Sequence, residues 1–323
     1  MRILIISLKY LGDVVIATPA IRAVQESFPG AHLAVAVRRG YEDVLAGMHG
    51  VHEIIGVPLE SFRSGTFVAR LAAQWKMMRE LRARKFDLVI VLEPGDRETL
   101  FAWFSGAPRR VGPAYQPLQR LLTTRVPVHE ESTNYIDYYC AIVEAAGARV
   151  RSRIPAITVS PDAAAKARAM IGAMPGASYV IGMHPGAREA DRRWLAEHWA
   201  ALIDAINDGA TTVVLMSGPG ERSVTDAIID RVHDHSHILR ADGVSIALMA
   251  ALIQRCHICI TPDSAPRHIA AAVGTRTVSI MPARSRGLWE LYDPQEHMVV
   301  FGTVPTGPLV DSVTPEEVLR LVG

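Results

Sequence analysis

Short apolar runs alternate along this chain with longer amphipathic segments. In the first half the runs fall at 2–8, 32–37, 53–57 and 87–92; in the second they fall at 179–184, 212–217, 257–261 and 277–281. Near-continuous runs of Ile, Val and Leu predict strands buried on both faces of a parallel sheet. Residues 13–28, between the first two runs, end at Pro29-Gly30, a turn signal, and predict a helix. Leu195, Trp199, Leu202, Ile203 and Ile206 recur at helical spacing between two later runs. Strand and helix in alternation predict βαβ units, and two such series predict an α/β chain of two doubly wound domains.

A length of 323 residues agrees with two domains. The charged, proline-bearing stretch 151–161 marks the junction, and the expected division is 1–155 and 156–323. Ser160-Pro161-Asp162 predicts a helix start, with Pro at the first helical position. Thr314-Pro315-Glu316-Glu317 predicts a capped final helix that packs back onto the body of the protein.

Composition narrows the function classes. With 34 Lys+Arg against 33 Asp+Glu, no bulk charge calls for nucleic acid as a partner. Hydrophobic residues at 49% exclude disorder and collagen. Three cysteines give no disulfide framework, which points to a reducing cytoplasm. No apolar stretch reaches the ~18 residues of a membrane span, and Lys9 and Asp13 interrupt the opening run too early for a signal peptide. The expectation is a soluble, intracellular protein.

Ligands of open α/β sheets sit beyond the carboxyl ends of strands, so the loops that follow the apolar runs carry the candidate chemistry. After the first run comes Lys9-Tyr10-Leu11-Gly12-Asp13, without the G-x-G-x-x-G of a dinucleotide site. Asp13 reads either as a helix cap or as a carboxylate available as a general base. After the 179–184 run comes His184-Pro185-Gly186-Ala187-Arg188, then Asp191-Arg192-Arg193-Trp194 and a helix. A glycine for close approach, a helix start and arginines favour an anion; the plainer reading is an exposed polar loop. After the 257–261 run comes Asp263-Ser264-Ala265-Pro266-Arg267-His268, a strand tip and helix start able to meet sugar hydroxyls and phosphate oxygens. On its own, His268 reads as a satisfied helix histidine.

Other patterns carry less. Cys256-His257-Ile258-Cys259 has no second ligand pair, and strand positions three apart face opposite sides. His233, His235 and His237 alternate in a polar loop and read as solvated. The chain contains no D-x-D and no G-x-S-x-G. Residues 67–85 combine an apolar stripe of Phe67, Leu71, Trp75, Met78 and Leu81 with Arg70, Lys76, Arg79, Arg82, Arg84 and Lys85, opposed only by Glu80. Such a helix either packs with a solvated basic face or lies on an anionic membrane surface.

Taken together these motifs resemble glycosyltransferase family 9, the ADP-heptose:lipopolysaccharide heptosyltransferases. The likeness rests on Gly12-Asp13 with Thr18-Pro19-Ala20-Ile21-Arg22, on His184-Pro185-Gly186-Ala187 with Arg192-Arg193-Trp194, and on Asp263-Ser264-Ala265-Pro266-Arg267-His268 with Ala270-Ala271-Ala272-Val273-Gly274-Thr275. It implies a GT-B fold, two Rossmann-like domains facing a cleft, with the acceptor on the first and the nucleotide sugar on the second. It implies inverting, metal-independent transfer of heptose to the lipopolysaccharide inner core, with no cofactor beyond the ADP-heptose donor. Asp13 would be the base. Arg192, the Gly186–Ala187 loop and the helix start at Ser264 and Ala265 would stabilise the departing ADP. His184, Arg188 and Asp263 would complete the donor site, Asp263 on heptose hydroxyls, with His268 near the diphosphate and Glu221 on ribose. The missing D-x-D agrees with a metal-free site.

The chain departs from the family pattern in three places: Ala265 where glycine is usual, Arg192 where lysine is common, and Met281-Pro282-Ala283-Arg284-Ser285 where Gly-Pro often follows the strand. Its opening looks closer to second- and third-heptose enzymes. The implied location is cytoplasmic, peripheral on the inner face of the inner membrane, with 67–85 as the contact. The rival readings are a GT-B enzyme using another nucleotide sugar and a catalytically silent homologue that binds nucleotide or core oligosaccharide.

Overall fold

The computed structural model describes residues 1–115, 117–128, 134–174, 178–287, 289, 291–303 and 310–322. They form two compact units, Met1–Thr158 and Val159–Gly323. The boundary lies slightly beyond the expected 155/156 because the intervening residues are tied to the first unit. Arg22 donates to the Ile154 carbonyl, the Ala156 N–H donates to Thr18 Oγ1, and Thr158 packs on Gly47.

The first unit holds one parallel sheet: β1 (Arg2–Ser7), β2 (His32–Arg38), β3 (Val51–Val57), β4 (Leu88–Val91), β5 (Arg109–Pro113) and β6 (Thr124–Val126), in the order β3-β2-β1-β4-β5-β6. Ile3, Leu4, Ile5 and Ile6 are all fully buried, as the central position of β1 with both faces covered requires. Its helices are α1 (Leu11–Ile16), α2 (Thr18–Ser27), α3 (Phe67–Ala83), α4 (Asp96–Phe104) and α5 (Tyr135–Ala145). The single helix expected over 13–28 is two. Pro19 has no N–H to offer the Val15 carbonyl, and the Thr18 hydroxyl takes that carbonyl instead at 2.7 Å, so the helical ladder breaks at Ala17.

The second unit repeats the plan with β7 (Tyr179–Met183), β8 (Thr211–Met216), β9 (Ile238–Ala241), β10 (Ile258–Pro262), β11 (Arg276–Met281) and β12 (His297–Phe301), in the parallel order β12-β11-β10-β7-β8-β9. Its helices are α6 (Pro161–Gly172), α7 (Ala196–Ile206), α8 (Arg222–Ile229), α9 (Ile246–Gln254), α10 (Ala265–Val273) and α11 (Pro315–Val322). Ser160 caps α6 through the Ala163 N–H. Thr314 and Glu317 cap α11 reciprocally, the Thr314 N–H donating to Glu317 Oε2 and the Glu317 N–H to Thr314 Oγ1. The final helix packs within its own unit: Val318 and Val322 join Trp199, Leu202 and Ile203 in the core, and the Trp194 indole donates to the Val313 carbonyl.

Three further features differ from expectation. β5, β6, β9 and β12 have no counterpart among the apolar runs, being short and carrying arginine, threonine or histidine at partly exposed positions. Of the three alternating histidines, His237 is buried rather than solvated, while His233 is held by Asp204. The 67–85 stripe splits: Met77 and Leu81 of α3 are buried, whereas Phe67, Leu71 and Trp75 stand in solvent.

Candidate active site

Both sheets run outward from a central strand in two directions. In the first, the chain steps from β1 to β2 and β3, then returns to place β4 on the other side of β1; in the second, β7 and β10 play the same parts. A crevice opens where neighbouring loops leave in opposite directions, and that switch point is where such sheets bind ligands. The residues singled out after β1, β7 and β10 all lie at these two points.

At the first switch point Asp13 occupies the third position of α1 and is 5% exposed. It is not the N-cap residue itself. Its Oδ2 reaches back to accept the Tyr10 N–H at 3.1 Å, and its Oδ1 accepts the Tyr139 hydroxyl of α5 at 3.2 Å. Glu93, just past β4, lies 1% exposed beside it. Ser7 Oγ stands 2.5 Å from Glu93 Oε1, and the Leu8 N–H donates to Oε2 at 2.9 Å. Burial, and next the charge of Asp13, push the Glu93 carboxyl up to about 8, against the pull of Ser7 and Leu8. Glu93 is therefore mostly neutral at pH 7. Two carboxyls held in unlike environments are a common arrangement for dividing acid and base roles.

At the second switch point the loops after β7 and β10 are joined by charge. Arg192 Nη1 lies 3.2 Å from Asp263 Oδ2 and its Nε lies 2.8 Å from Glu189 Oε2. Ser285 Oγ donates to the same Asp263 oxygen at 2.8 Å, fixing the carboxylate from the β11 side. Arg193 donates to the Ala187 carbonyl at 2.7 Å, and Arg188 pairs with Glu189, which this hydrogen bond holds below the usual carboxylate range. Arg284 closes the rim on Asp191 at 2.8 Å. Arg188, Arg192, Arg193 and Arg284 thus gather here with Glu189, Asp191 and Asp263, and Glu221 brings the two signs level.

His184 and Glu221 form a third contact there. His184 Nε2 lies 3.3 Å from Glu221 Oε2, which also accepts the Gly218 N–H at 2.9 Å. The His184 contact lowers the Glu221 carboxyl, with burial opposing. Gly186 makes this possible in a way the loop sequence does not reveal: a Cβ there would meet Glu221 Oε1 at 2.5 Å. The close approach seen here is to a protein carboxylate. His184 Nδ1 is buried and makes no hydrogen bond among the described residues.

Ser264 and Ala265 open α10, where Pro266 has no N–H and the Arg267 N–H donates to the Ser264 carbonyl at 3.3 Å; Ser264 Oγ contacts Thr261 Oγ1 at 3.1 Å. His268 is placed inward. It is 4% exposed, its Nδ1 lies 2.6 Å from the Tyr292 hydroxyl, and burial with Arg267 alongside holds it well below its ordinary range. It is a neutral, packed imidazole with no positive charge to present to a phosphate. Glu93, Tyr139, Glu189 and Ser285 are the site residues that the motifs miss. Glu93 alone carries a local signal, a carboxylate one residue after the buried 87–92 run.

Among the described residues no group of three or more His, Cys, Asp or Glu is arranged to hold a metal, and no helix is long and apolar enough to cross a membrane. Cys256 and Cys259 are buried thiols, the latter pushed up to about 12.

Two doubly wound units, each with its polar residues gathered at the switch point, make up the architecture of GT-B glycosyltransferases. Residues 74–318 match glycosyltransferase family 9 (heptosyltransferase), and the chain belongs to that family. Asp13 lies N-terminal to the matched segment. Lipopolysaccharide heptosyltransferase 3 of Escherichia coli is 25% identical over 292 residues, covering 87% of this chain and 84% of the relative. The crystal structure of a family 9 glycosyl transferase from Veillonella parvula superposes with a TM-score of 0.88 at 20% identity, covering 99% of this chain and 96% of that one. The E. coli heptosyltransferase WaaC with ADP-2-deoxy-2-fluoro heptose gives 0.78 at 17% identity, with coverage of 100% and 99%.

Proposed function

We propose that the protein transfers heptose from ADP-heptose to the inner core of lipopolysaccharide, with inversion and without a metal, as an enzyme of the second- or third-heptose type. The observation that carries this reading is the seat of Asp13. It is a buried carboxylate at a switch point, oriented by the Tyr10 N–H on one oxygen and the Tyr139 hydroxyl on the other, the residue type and position a general base requires. In the reaction an acceptor hydroxyl oxygen attacks the anomeric carbon of the donor as its proton passes to Asp13. The bond from that carbon to the diphosphate oxygen breaks, and ADP leaves with the electron pair.

The second unit supplies the charge that the leaving diphosphate needs. Arg192, with Arg188 beside it, the Gly186-Ala187 turn and the backbone N–H groups of Ser264 and Ala265 at the start of α10 would together present donors and positive charge without a metal ion. On binding, phosphate oxygens would compete with Asp263 and Glu189 for Arg192. Asp263 would then turn to heptose hydroxyls, while Glu221, held by Gly218 and His184, accepts from ribose. The role for His268 is to shape the wall behind the diphosphate through Tyr292. A lipopolysaccharide acceptor would place the enzyme at the cytoplasmic face of the inner membrane.

The test is transfer itself. The purified chain is incubated with ADP-heptose and a panel of truncated lipopolysaccharide cores in the presence of a chelator, and products are read by mass. A gain of one heptose on one acceptor supports the reading. ADP-heptose binding without transfer to any core favours a silent homologue, and stabilisation by a UDP- or GDP-sugar instead of ADP overturns the donor.

A further inference from the structure

The exposed side of α3 does not suit a solvated surface helix. Phe67, Val68, Leu71 and Trp75 are 69%, 74%, 49% and 57% exposed. At about 100° per residue these four fall within one arc of roughly 100°, adjoining the side on which Met77 and Leu81 are buried. The patch continues onto the next helix. Trp75 meets Phe104 edge-on at 6.1 Å, and Phe104 meets Trp103 at 4.7 Å, with Trp103 46% exposed. Large apolar side chains clustered in solvent mark an interaction surface rather than scattered exposure.

The rim of the patch is basic. Arg63, Arg70, Lys76, Arg79, Arg82, Arg84 and Lys85 lie between positions 61 and 85, against Glu80 alone. Arg84 is paired with Glu53, and Arg82 and Arg70 lean on backbone carbonyls; Lys76 and Arg79 are exposed. On the helical wheel Arg82 and Arg79 continue the apolar arc toward the C-terminal end of α3. Tryptophan and phenylalanine flanked by Lys and Arg suit the headgroup boundary of an anionic bilayer, where rings enter the interface and cations meet lipid phosphates. A second copy of the chain suits it less, because a two-fold contact would bring like basic rims together.

We propose that the face formed by Phe67, Val68, Leu71, Trp75 and Trp103, with Lys76 and Arg79 at its edge, docks the first unit on an anionic phospholipid surface. The inference deepens the reading of a lipid-linked acceptor, and its test is independent of acceptor chemistry. The surface holds the protein at the membrane, so it acts on transfer to acceptor displayed in a bilayer and leaves transfer to a lipid-free core unchanged.

The test is co-sedimentation of the full chain with phosphatidylglycerol-containing vesicles and with pure phosphatidylcholine vesicles, neither carrying any acceptor. Binding is expected to the anionic vesicles alone and to fall as salt is raised. Trp75→Ala with Trp103→Ala, and separately Lys76→Glu with Arg79→Glu, are each expected to lower partitioning about tenfold or more. Should one pair fail to fold, the other pair and the salt dependence still decide. Equal binding to both vesicle types, no binding to either, or binding unchanged in both variants overturns the proposal. So does a concentration-dependent dimer that the tryptophan pair abolishes, since a second copy would then cover the face. Loss of vesicle binding with heptosyl transfer to a lipid-free core intact separates this surface from the catalytic reading.

Discussion

The Tyr139 hydroxyl donates to Asp13 Oδ1 across 126 residues of sequence. Tyr139 is fully buried in α5 and its ring packs edge-on against Tyr138 at 5.5 Å, so the phenol is held independently of the carboxylate it serves. Tyr139→Phe keeps the ring and removes the donor. The expected outcome is a folded protein with unaltered ADP affinity and a turnover number lowered by about tenfold, the scale of one hydrogen bond to a charged group. Turnover equal to wild type in steady-state kinetics would detach Tyr139 from the base.

Glu93 predicts a pH dependence of stability. Its carboxyl rises from 4.5 to about 8 in the folded protein, so the native state holds a proton that the unfolded chain has released. The stabilisation is complete below about pH 4.5 and is lost as pH climbs toward 8. Glu93→Gln keeps a neutral group able to donate to Ser7 and accept from Leu8. Denaturant unfolding at several pH values should show wild type losing stability relative to the variant between pH 5 and 8; parallel curves would mean that Glu93 is ionised throughout.

Arg192 and Asp263 lie 3.2 Å apart, and their partnership should appear as coupling. Arg192→Ala takes the cation from Asp263, 4% exposed and still bonded by Ser285, and should cost about 1–3 kcal/mol of stability. Asp263→Asn should restore part of that loss in the double variant. ADP affinity should fall by about tenfold or more with Arg192→Ala whether or not Asp263 is changed. Calorimetry showing unaltered ADP binding would remove Arg192 from the phosphate site.

Gly186→Ala tests the approach of Glu221. The new methyl meets the far end of a flexible carboxylate, which can swing aside, so the fold should survive with a stability change below about 1 kcal/mol. ADP affinity should drop severalfold, and little further when Glu221→Ala is added, because both changes remove the same contact. Additive losses on titration would show that Gly186 faces the ligand directly.

The central strands are legible in the sequence because burial on both faces demands unbroken apolar runs, as in Ile3–Ile6 of β1. β9 and β12 sit at sheet edges with partly exposed residues, and β5 carries two arginines, so none of the three presents such a run. Loop positions followed from topology: Asp13, Arg192 and Asp263 could be singled out because each follows a readable strand. Their partners could not. Tyr139 reaches Asp13 and Ser7 reaches Glu93 through the closed sheet, over 126 and 86 residues, and no local spacing encodes such a meeting. The role of Gly186 was hidden for the same reason, since Glu221 approaches it from the loop after β8.

The central claim is that Asp13 takes the acceptor proton, and single-turnover transfer by Asp13→Asn tests it most directly. Asparagine keeps the shape and can still accept from Tyr139 or Tyr10, so folding and ADP-heptose affinity should match wild type. The account predicts that heptose transfer at saturating donor and acceptor falls by about a hundredfold or more. Transfer at the wild-type rate, with donor binding unchanged, would contradict it.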